Sequence, residues 1–402
     1  MLLKGFYVKF NALLDRVGKK EFEVFLLLKT PLQILCSRKG QRGVLEHIPF
    51  NDPPEATDQG ATERPHLLNF LKSREKTMKI IYEDLPVIYG SGEILQDSTD
   101  WRTFKLKSTA VSHAMSNTHP NRSHKILDCG SLLAFAVSST GDKRLIKAYF
   151  CKDRMCPSCQ KRRSLVVFHQ VKDVCLSLQS EFKSTRYLLL TLTVPNVTAD
   201  DLPNEINKMN KAWASLSRKV EFKKAIWGWF KALEITHNKK TNTYHPHFHV
   251  LLAVPEKYFK GQNYIKQSRW LELWQVAMKN DYITQVDVRR VKPNPKRSGS
   301  TIEAAAAEVG KYATKPSDYI KKVSPDYYVA DEKIVSELAD ILKRKRLIAF
   351  GGRLKEHYQK LKLTDADLDS VDLINVAGES DQVDAVVLQM YKWNIGLKQY
   401  IS

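Results

Sequence analysis

In the stretch HPHFHVLLAV, residues 245–254, three histidines fall at every second position and run into a continuous apolar segment. Side chains alternate faces along a strand, so His245, His247 and His249 point one way, with Phe248, Val250 and Leu252 in the apolar layers around them. Imidazoles stacked in this way can hold a divalent metal, and the apolar run would seat the strand in a sheet buried on both faces. Histidines that merely cap the solvent end of an ordinary strand are an equally open reading of this stretch alone.

A second pattern lies downstream, in EVGKY. Glu308 and Tyr312 are four apart, the spacing that places two side chains on one helix face about a turn from each other. A tyrosine can attack phosphorus and keep a covalent link to DNA, while a carboxylate beside it accepts a proton from water or from a sugar hydroxyl. Lys311 and Lys315 are the cations such a phosphate would need, although lysines at a helix end are also ordinary. Taken by itself, E-x-x-x-Y is a weak signal that a solvated helix face explains better.

The third constellation is sulfur. CKDRMCPSC places Cys151, Cys156 and Cys159 at C-x4-C-x2-C spacing, and Cys129 lies upstream across an apparent hairpin through SSTGDKR. Four thiolates satisfy a tetrahedral Zn2+ with no open position, which would make the site structural. His169 or Cys175 could take the place of Cys129 as fourth ligand. Six cysteines in 402 residues are no disulfide framework, and their crowding suggests metal in a reducing compartment. Lys161, Arg162 and Arg163 follow at the start of a helix, where a positive face could track DNA phosphate.

The elements that must position these groups are legible around them. YLLLTLTVPNV, from 187, reads as a strand stopped by Pro195 and Asn196, and Asp200 or Asp201 can cap the helix carrying Ile206, Met209, Trp213 and Leu216. FKALEITHN, the turn NKKTNTY and HPHFHVLLAV form an antiparallel hairpin. A helix with Trp270, Leu273, Trp274 and Ala277 follows, then the strand ITQVDVRRV, the loop KPNPKRSGS, and TIEAAAAEVGKYATK, expected to be helical up to Pro316. The result is an α+β domain around an antiparallel sheet.

The bulk numbers choose the partner. Lys and Arg number 64 against 44 Asp and Glu, for a net charge of +20 and a pI near 9.5. Such an excess points to a polyanion, and nucleic acid fits better than a membrane surface because no long basic amphipathic helix is evident. Nothing reaches the roughly 18 apolar residues of a membrane span, and VFLLL at 24–28 is closed by Lys29 and Pro31, so the chain is expected to be cytoplasmic. Residues 364–384 hold seven acids and no Lys or Arg, an unfavourable seat for nucleic acid.

The blocks LLLTLTVPNV, YHPHFHVLLAV and AAEVGKYATKPSDY, in this order and at these spacings, resemble the rolling-circle replication initiators of small Gram-positive plasmids. Those belong to the endonuclease superfamily named for a His-hydrophobic-His (HUH) metal motif. The resemblance spans roughly residues 100–362. It implies an HUH endonuclease domain with helices on one face of its sheet, preceded by a small zinc-binding module and followed by a helical C-terminal region. The expected organisation is 1–66, a basic extension and linker; 67–180, helical and Cys-rich; 181–325, the endonuclease domain; and 326–402, helical and basic with an acidic tail.

The activity implied is nicking of one strand at a plasmid origin, with Tyr312 joined to the 5′ phosphate and a 3′ hydroxyl left to prime synthesis. Glu308 stands where related initiators carry a carboxylate that activates water at termination. Tyr319 is the alternative second tyrosine, although Pro316 intervenes. His247 and His249 match the superfamily's metal pair for Mg2+ or Mn2+, and Glu234 on the partner strand would supply a hard oxygen ligand, unless it is a rim carboxylate paired with lysine. Origin DNA, duplex and single-stranded, is the expected partner, with a host helicase and polymerase; a homodimer is one admissible form. Two other readings remain open: a transposase of the same superfamily, and a non-enzymatic, zinc-containing DNA-binding regulator. A relaxase fits less well, because relaxases place the tyrosine ahead of the histidines.

Overall fold

The computed structural model describes residues 85–292, 300–310, 314–368, 371–376 and 385–402. The expected basic extension and linker, the first part of the Cys-rich region, and both Lys311 and Tyr312 lie outside the described residues.

In chain order, β1 (Val87–Ile88) is followed by α1 (Trp101–Met115), α2 (Pro120–Asp128), a hairpin of β2 (Leu132–Ser138) and β3 (Lys143–Ala148), and the long α3 (Pro157–Glu181). Next come β4 (Thr185–Thr193), α4 (Leu202–Leu216), α5 (Val220–Ala225), β5 (Gly228–Asn238), β6 (Thr243–Pro255), α6 (Gln267–Met278), β7 (Val286–Arg290) and α7 (Thr301–Val309). The remainder is α8 (Pro316–Tyr319), β8 (Ile320–Ser324), β9 (Tyr327–Ala330), α9 (Glu332–Ile341), β10 (Ile348–Gly351), α10 (Gly352–Lys360), β11 (Ala385–Asn394) and β12 (Gln399–Ile401).

The central sheet has the order β10-β5-β6-β4-β7, with every neighbouring pair antiparallel. The expected hairpin is its centre, and the alternation along β6 sends Phe248, Val250 and Leu252 to one face and His247, His249 and Leu251 to the other. Both faces are covered. On the Phe248 side lie α4 and α6: the Phe248 ring is 6.3 Å from that of Trp274, and Lys231 Nζ donates to Asn210 Oδ1 at 2.6 Å. On the histidine side lie α3, α7 and α10, with Tyr187 Oη donating to the Cys175 carbonyl at 3.0 Å. Helices on one face were expected; apolar side chains on both faces of β5 and β6 require cover on both.

A second sheet, ordered β1-β11-β2-β3 with β12 beside β11, joins the two ends of the described chain. The stretch 326–402, expected to be helical, therefore contributes strands to both sheets: β10 pairs with β5, and β11 pairs with β2. AVVLQMYKWN is rich in β-branched and aromatic residues, and its place between β1 and β2 supplies the pairing that makes it a strand.

Helix α7 also departs from expectation. It starts at a capping box, Ser300 with Glu303, but stops at Val309 and does not continue to Pro316. A Cβ on Gly310 would lie 2.8 Å from the Ala306 carbonyl oxygen and 3.3 Å from Phe168 of α3. Glycine permits that approach and, being a poor helix former, lets the chain leave the helix there. By Thr314 it runs parallel to β5, bridged to Ile235. The helix that carries Glu308 therefore ends one residue beyond it. Among the described residues no helix is long and apolar enough to cross a membrane.

Candidate active site

Register across the central sheet assembles the first constellation. Glu234 stands directly opposite His247, His247 opposite Thr193, and His249 opposite Thr191, so all five side chains belong to one face. The ligand atoms of Glu234, His247 and His249 lie within 4.8 Å of one another. His249 Nε2 is 2.7 Å from Glu234 Oε2 and His247 Nε2 is 3.5 Å from the same oxygen. His247 Nδ1 is 3.1 Å from the His245 carbonyl, which holds the ring with its Nε2 toward the carboxylate. His245 stacks on His247 with ring centroids 5.2 Å apart and stays outside the converging trio.

Glu234 is not a rim carboxylate: its side chain is 3% exposed. Burial alone would push its carboxyl up, but donors from His247, His249 and Lys315 outweigh that and hold it well below the usual carboxylate range. Lys315, expected at DNA, lies 2.9 Å from Glu234 Oε1 through its ammonium group. A buried carboxylate between two imidazoles on one sheet face is a donor set that can hold a divalent metal ion, and their mutual distances suit oxygen and nitrogen ligands shared by one ion.

Glu308 sits in the last turn of α7, with Oε1 3.3 Å from Arg289 Nη2 on β7. Sequence reasoning passed over Arg289; it sits in ITQVDVRRV, and nothing local to that strand announces a partner on a different element. Tyr312 and Lys311 are outside the described residues, but their neighbours are placed: Gly310 closes α7, and Thr314 is bridged to the residue next to Glu234. Tyr319 is 2% exposed, its hydroxyl takes a hydrogen bond from Gln160 Nε2 at 3.0 Å, and burial pushes its phenol up to about 12. A second nucleophile would have to be reachable by DNA, and Tyr319 is not.

The sulfur constellation is assembled by two helix ends and a strand end. Cys129 follows α2, Cys151 follows β3, Cys156 is the N-cap of α3 ahead of Pro157, and Cys159 lies in the first turn. All four sulfurs fall within 4.8 Å of one another, with Cys159 Sγ 3.6 Å from Cys129 Sγ and 3.7 Å from Cys151 Sγ. Sulfurs bound tetrahedrally to zinc at about 2.3 Å stand roughly 3.8 Å apart, so the set fits that ion. The Lys152 amide, at φ 58°, donates to Cys159 Sγ at 3.2 Å. The two alternative fourth ligands are elsewhere: Cys175 is packed under β4, and the His169 ring lies edge-on to Phe168.

The positive face expected at the start of α3 is not on the surface. Arg162 is fully buried and donates from Nε to the Leu373 carbonyl at 2.7 Å and from Nη2 to the Ile374 carbonyl at 2.8 Å, while Arg163 is 2% exposed and donates to the Lys152 carbonyl. Both guanidinium groups serve backbone carbonyls inside the fold. Lys161 is exposed.

Residues 142–401 match a family described as replication protein. A protein rep from Bacillus amyloliquefaciens is 36% identical over 336 residues, which cover 77% of this chain and 97% of that relative. A protein rep from Lentilactobacillus hilgardii is 34% identical, over 75% of this chain and 94% of its own length, and one from Streptococcus pneumoniae serotype 2 is 32% identical, over 75% and 91%. No solved structure matches. Agreement over most of this chain and nearly all of each relative decides the matter: the chain belongs to the replication-protein (Rep) family, the initiators of plasmid rolling-circle replication.

Proposed function

We propose that this chain nicks one strand of its plasmid's origin and remains joined to the 5′ phosphate through Tyr312. The observation that carries the reading is the convergence of Glu234, His247 and His249 on one sheet face, beside the segment that holds Lys315. Those three side chains would hold Mg2+ or Mn2+. When bound, such an ion offsets charge on a non-bridging oxygen of the scissile phosphate.

Thr314 is two residues beyond Tyr312 and bridges Ile235, so chain length alone keeps the Tyr312 Cα within about 7 Å of the Thr314 Cα. In the nicking step the Tyr312 oxygen attacks phosphorus, a tyrosine–phosphate ester forms and the P–O3′ bond breaks. The electron pair leaves on the 3′ oxygen, which takes up a proton as the phenol loses one. Lys315 supplies a cation beside the phosphate. At termination Glu308, positioned by Arg289, accepts a proton from the water that cuts the regenerated origin. Zinc on Cys129, Cys151, Cys156 and Cys159 would tie α2, β3 and α3 together without chemistry of its own. Lys161 and Lys311 are further DNA contacts in this reading, and a host helicase and polymerase would extend the 3′ end.

The test is incubation of the protein with supercoiled plasmid carrying its own origin, in Mn2+ or Mg2+. A nicked circle with protein attached is expected, the adduct is absent for Tyr312→Phe, and nicking is lost for His247→Ala and His249→Ala while duplex binding remains. An adduct formed at full rate by Tyr312→Phe would overturn the assignment.

A further inference from the structure

The ribbon β8–β9 follows the active-site segment directly, and among the described residues nothing covers its outer face. Its inner face packs on α1: Tyr328 is 9% exposed, with Lys107 Nζ 5.6 Å from its ring centroid. By strand alternation Lys321, Tyr327 and Val329 face outward, joined by Val323 at the bulge; Val323, Tyr327 and Val329 are 58%, 52% and 43% exposed. Three large apolar side chains on one small ribbon are more than scattered surface hydrophobics.

The ribbon is held at both ends. At its root Asp318 accepts the His237 amide at 3.1 Å, three residues along β5 from Glu234, and the Asp331 amide donates to the Tyr319 carbonyl at 2.8 Å. At its tip Asp326 pairs with Arg102, and Lys398 Nζ donates to the Asp326 carbonyl at 3.3 Å. The exposed face is therefore presented on an anchored element.

Its surroundings are cationic. Lys321 and Lys322 are exposed on the ribbon, and Lys239 and Lys240 are exposed on the neighbouring β5–β6 turn, where Lys239 Nζ is 3.5 Å from the Ser317 carbonyl. The nearest acids are engaged: Asp326 by Arg102, Asp331 as the N-cap of α9, and Glu332 by Asn117. Within a chain of net charge +20, an exposed aromatic flanked by valines and lysines matches the faces of unpaired bases and their phosphates. Reading a duplex through its major groove would call for side chains with paired donors and acceptors, which Val323, Tyr327 and Val329 do not offer.

We propose that the outer face of the β8–β9 ribbon binds single-stranded DNA beside the scissile site, with a base stacked on Tyr327 and a phosphate at Lys321. The inference deepens the nicking reading and rests on it for which strand is bound, but not for whether the ribbon binds.

The test uses the full chain with chelator present, so that no cleavage is needed, and follows fluorescence anisotropy of an oligothymidylate of roughly 16 residues, the upper end of a single-module site. Tyr327→Ala is expected to weaken binding about tenfold, as loss of one stacked base does, while Tyr327→Phe binds like the parent and affinity for duplex DNA is unchanged. Equal affinity of Tyr327→Ala and parent would overturn the proposal; an equal loss on duplex would show a duplex-reading ribbon instead. Independently of any variant, photocrosslinking of the parent to an oligonucleotide carrying 5-iodouracil should label residues 320–330, and labelling confined to other segments would also overturn it. A parent that fails to nick while Tyr327→Ala still loses oligothymidylate binding would sink the nicking reading and leave the ribbon standing.

Discussion

Arg162 separates a DNA contact from a structural strut, and the structure sets the size of the effect. Its hydrogen bonds to the Leu373 and Ile374 carbonyls are charge-assisted, and its guanidinium carbon lies 5.7 Å from the centroid of the Trp101 ring. Bonds to charged groups contribute about 1.5–3 kcal/mol each, and a buried cation over an aromatic ring about 2 kcal/mol. The Ile374 carbonyl keeps the Val376 amide at 3.0 Å, so the low end applies to the bonds and Arg162→Ala should cost about 5 kcal/mol. At roughly 2–4 °C per kcal/mol in domains of a few hundred residues, melting should fall by about 10–20 °C. The assay is a thermal melt paired with the dependence of duplex binding on salt. Below its melting transition the variant should keep the parent's slope of log affinity against log salt. A phosphate contact predicts the opposite: unchanged melting, with a slope shallower by about 0.9. That second pattern would refute the reasoning and return Arg162 to the surface.

Other outcomes follow from the same structure. Glu308→Ala should still nick and start replication but run past the regenerated origin, giving single-stranded multimers on a gel; unit-length circles at the parent rate would remove Glu308 as the terminating base. Cys159→Ser should lose bound zinc and stability together, because metal binding is also folding free energy here; a parent that holds no zinc by elemental analysis would mark the cluster as plain thiols. Lys231 is pushed down to about 7, by burial and then by the charge of Arg346. Its folded value lies below the unfolded one, so the unfolded chain binds the extra proton between about pH 7 and 10.5 and stability falls as pH drops through that window. Replacing a buried charge by a hydrophobe commonly stabilises by about 1–4 kcal/mol, so Lys231→Met should raise melting most below pH 7, with the gain shrinking toward pH 10.5; a pH-independent gain would contradict the shifted lysine.

What the amino-acid order determined by itself is local. Period-2 alternation in FKALEITHN and HPHFHVLLAV, with a short turn between them, sets a hairpin register in which Glu234 meets His247 before any other part of the chain is considered. The spacing of Cys151, Cys156 and Cys159 likewise put three sulfurs within reach of one ion. Tertiary structure decided whatever depends on a distant partner. Arg162 and Arg163 read as a solvated face because a charge pattern carries no record of carbonyls that fold over it, and the chain at Leu373 and Ile374 does so. The run of alanines in α7 promised a longer helix, but Phe168 on another element demanded a glycine at 310 and the helix ended there. Lys315 became a partner of Glu234 because the segment after that break returns to β5. Strands β10 and β11 were missed for the same reason: a strand is stabilised by the neighbour it pairs with, and theirs are β5 and β2, far away in the chain.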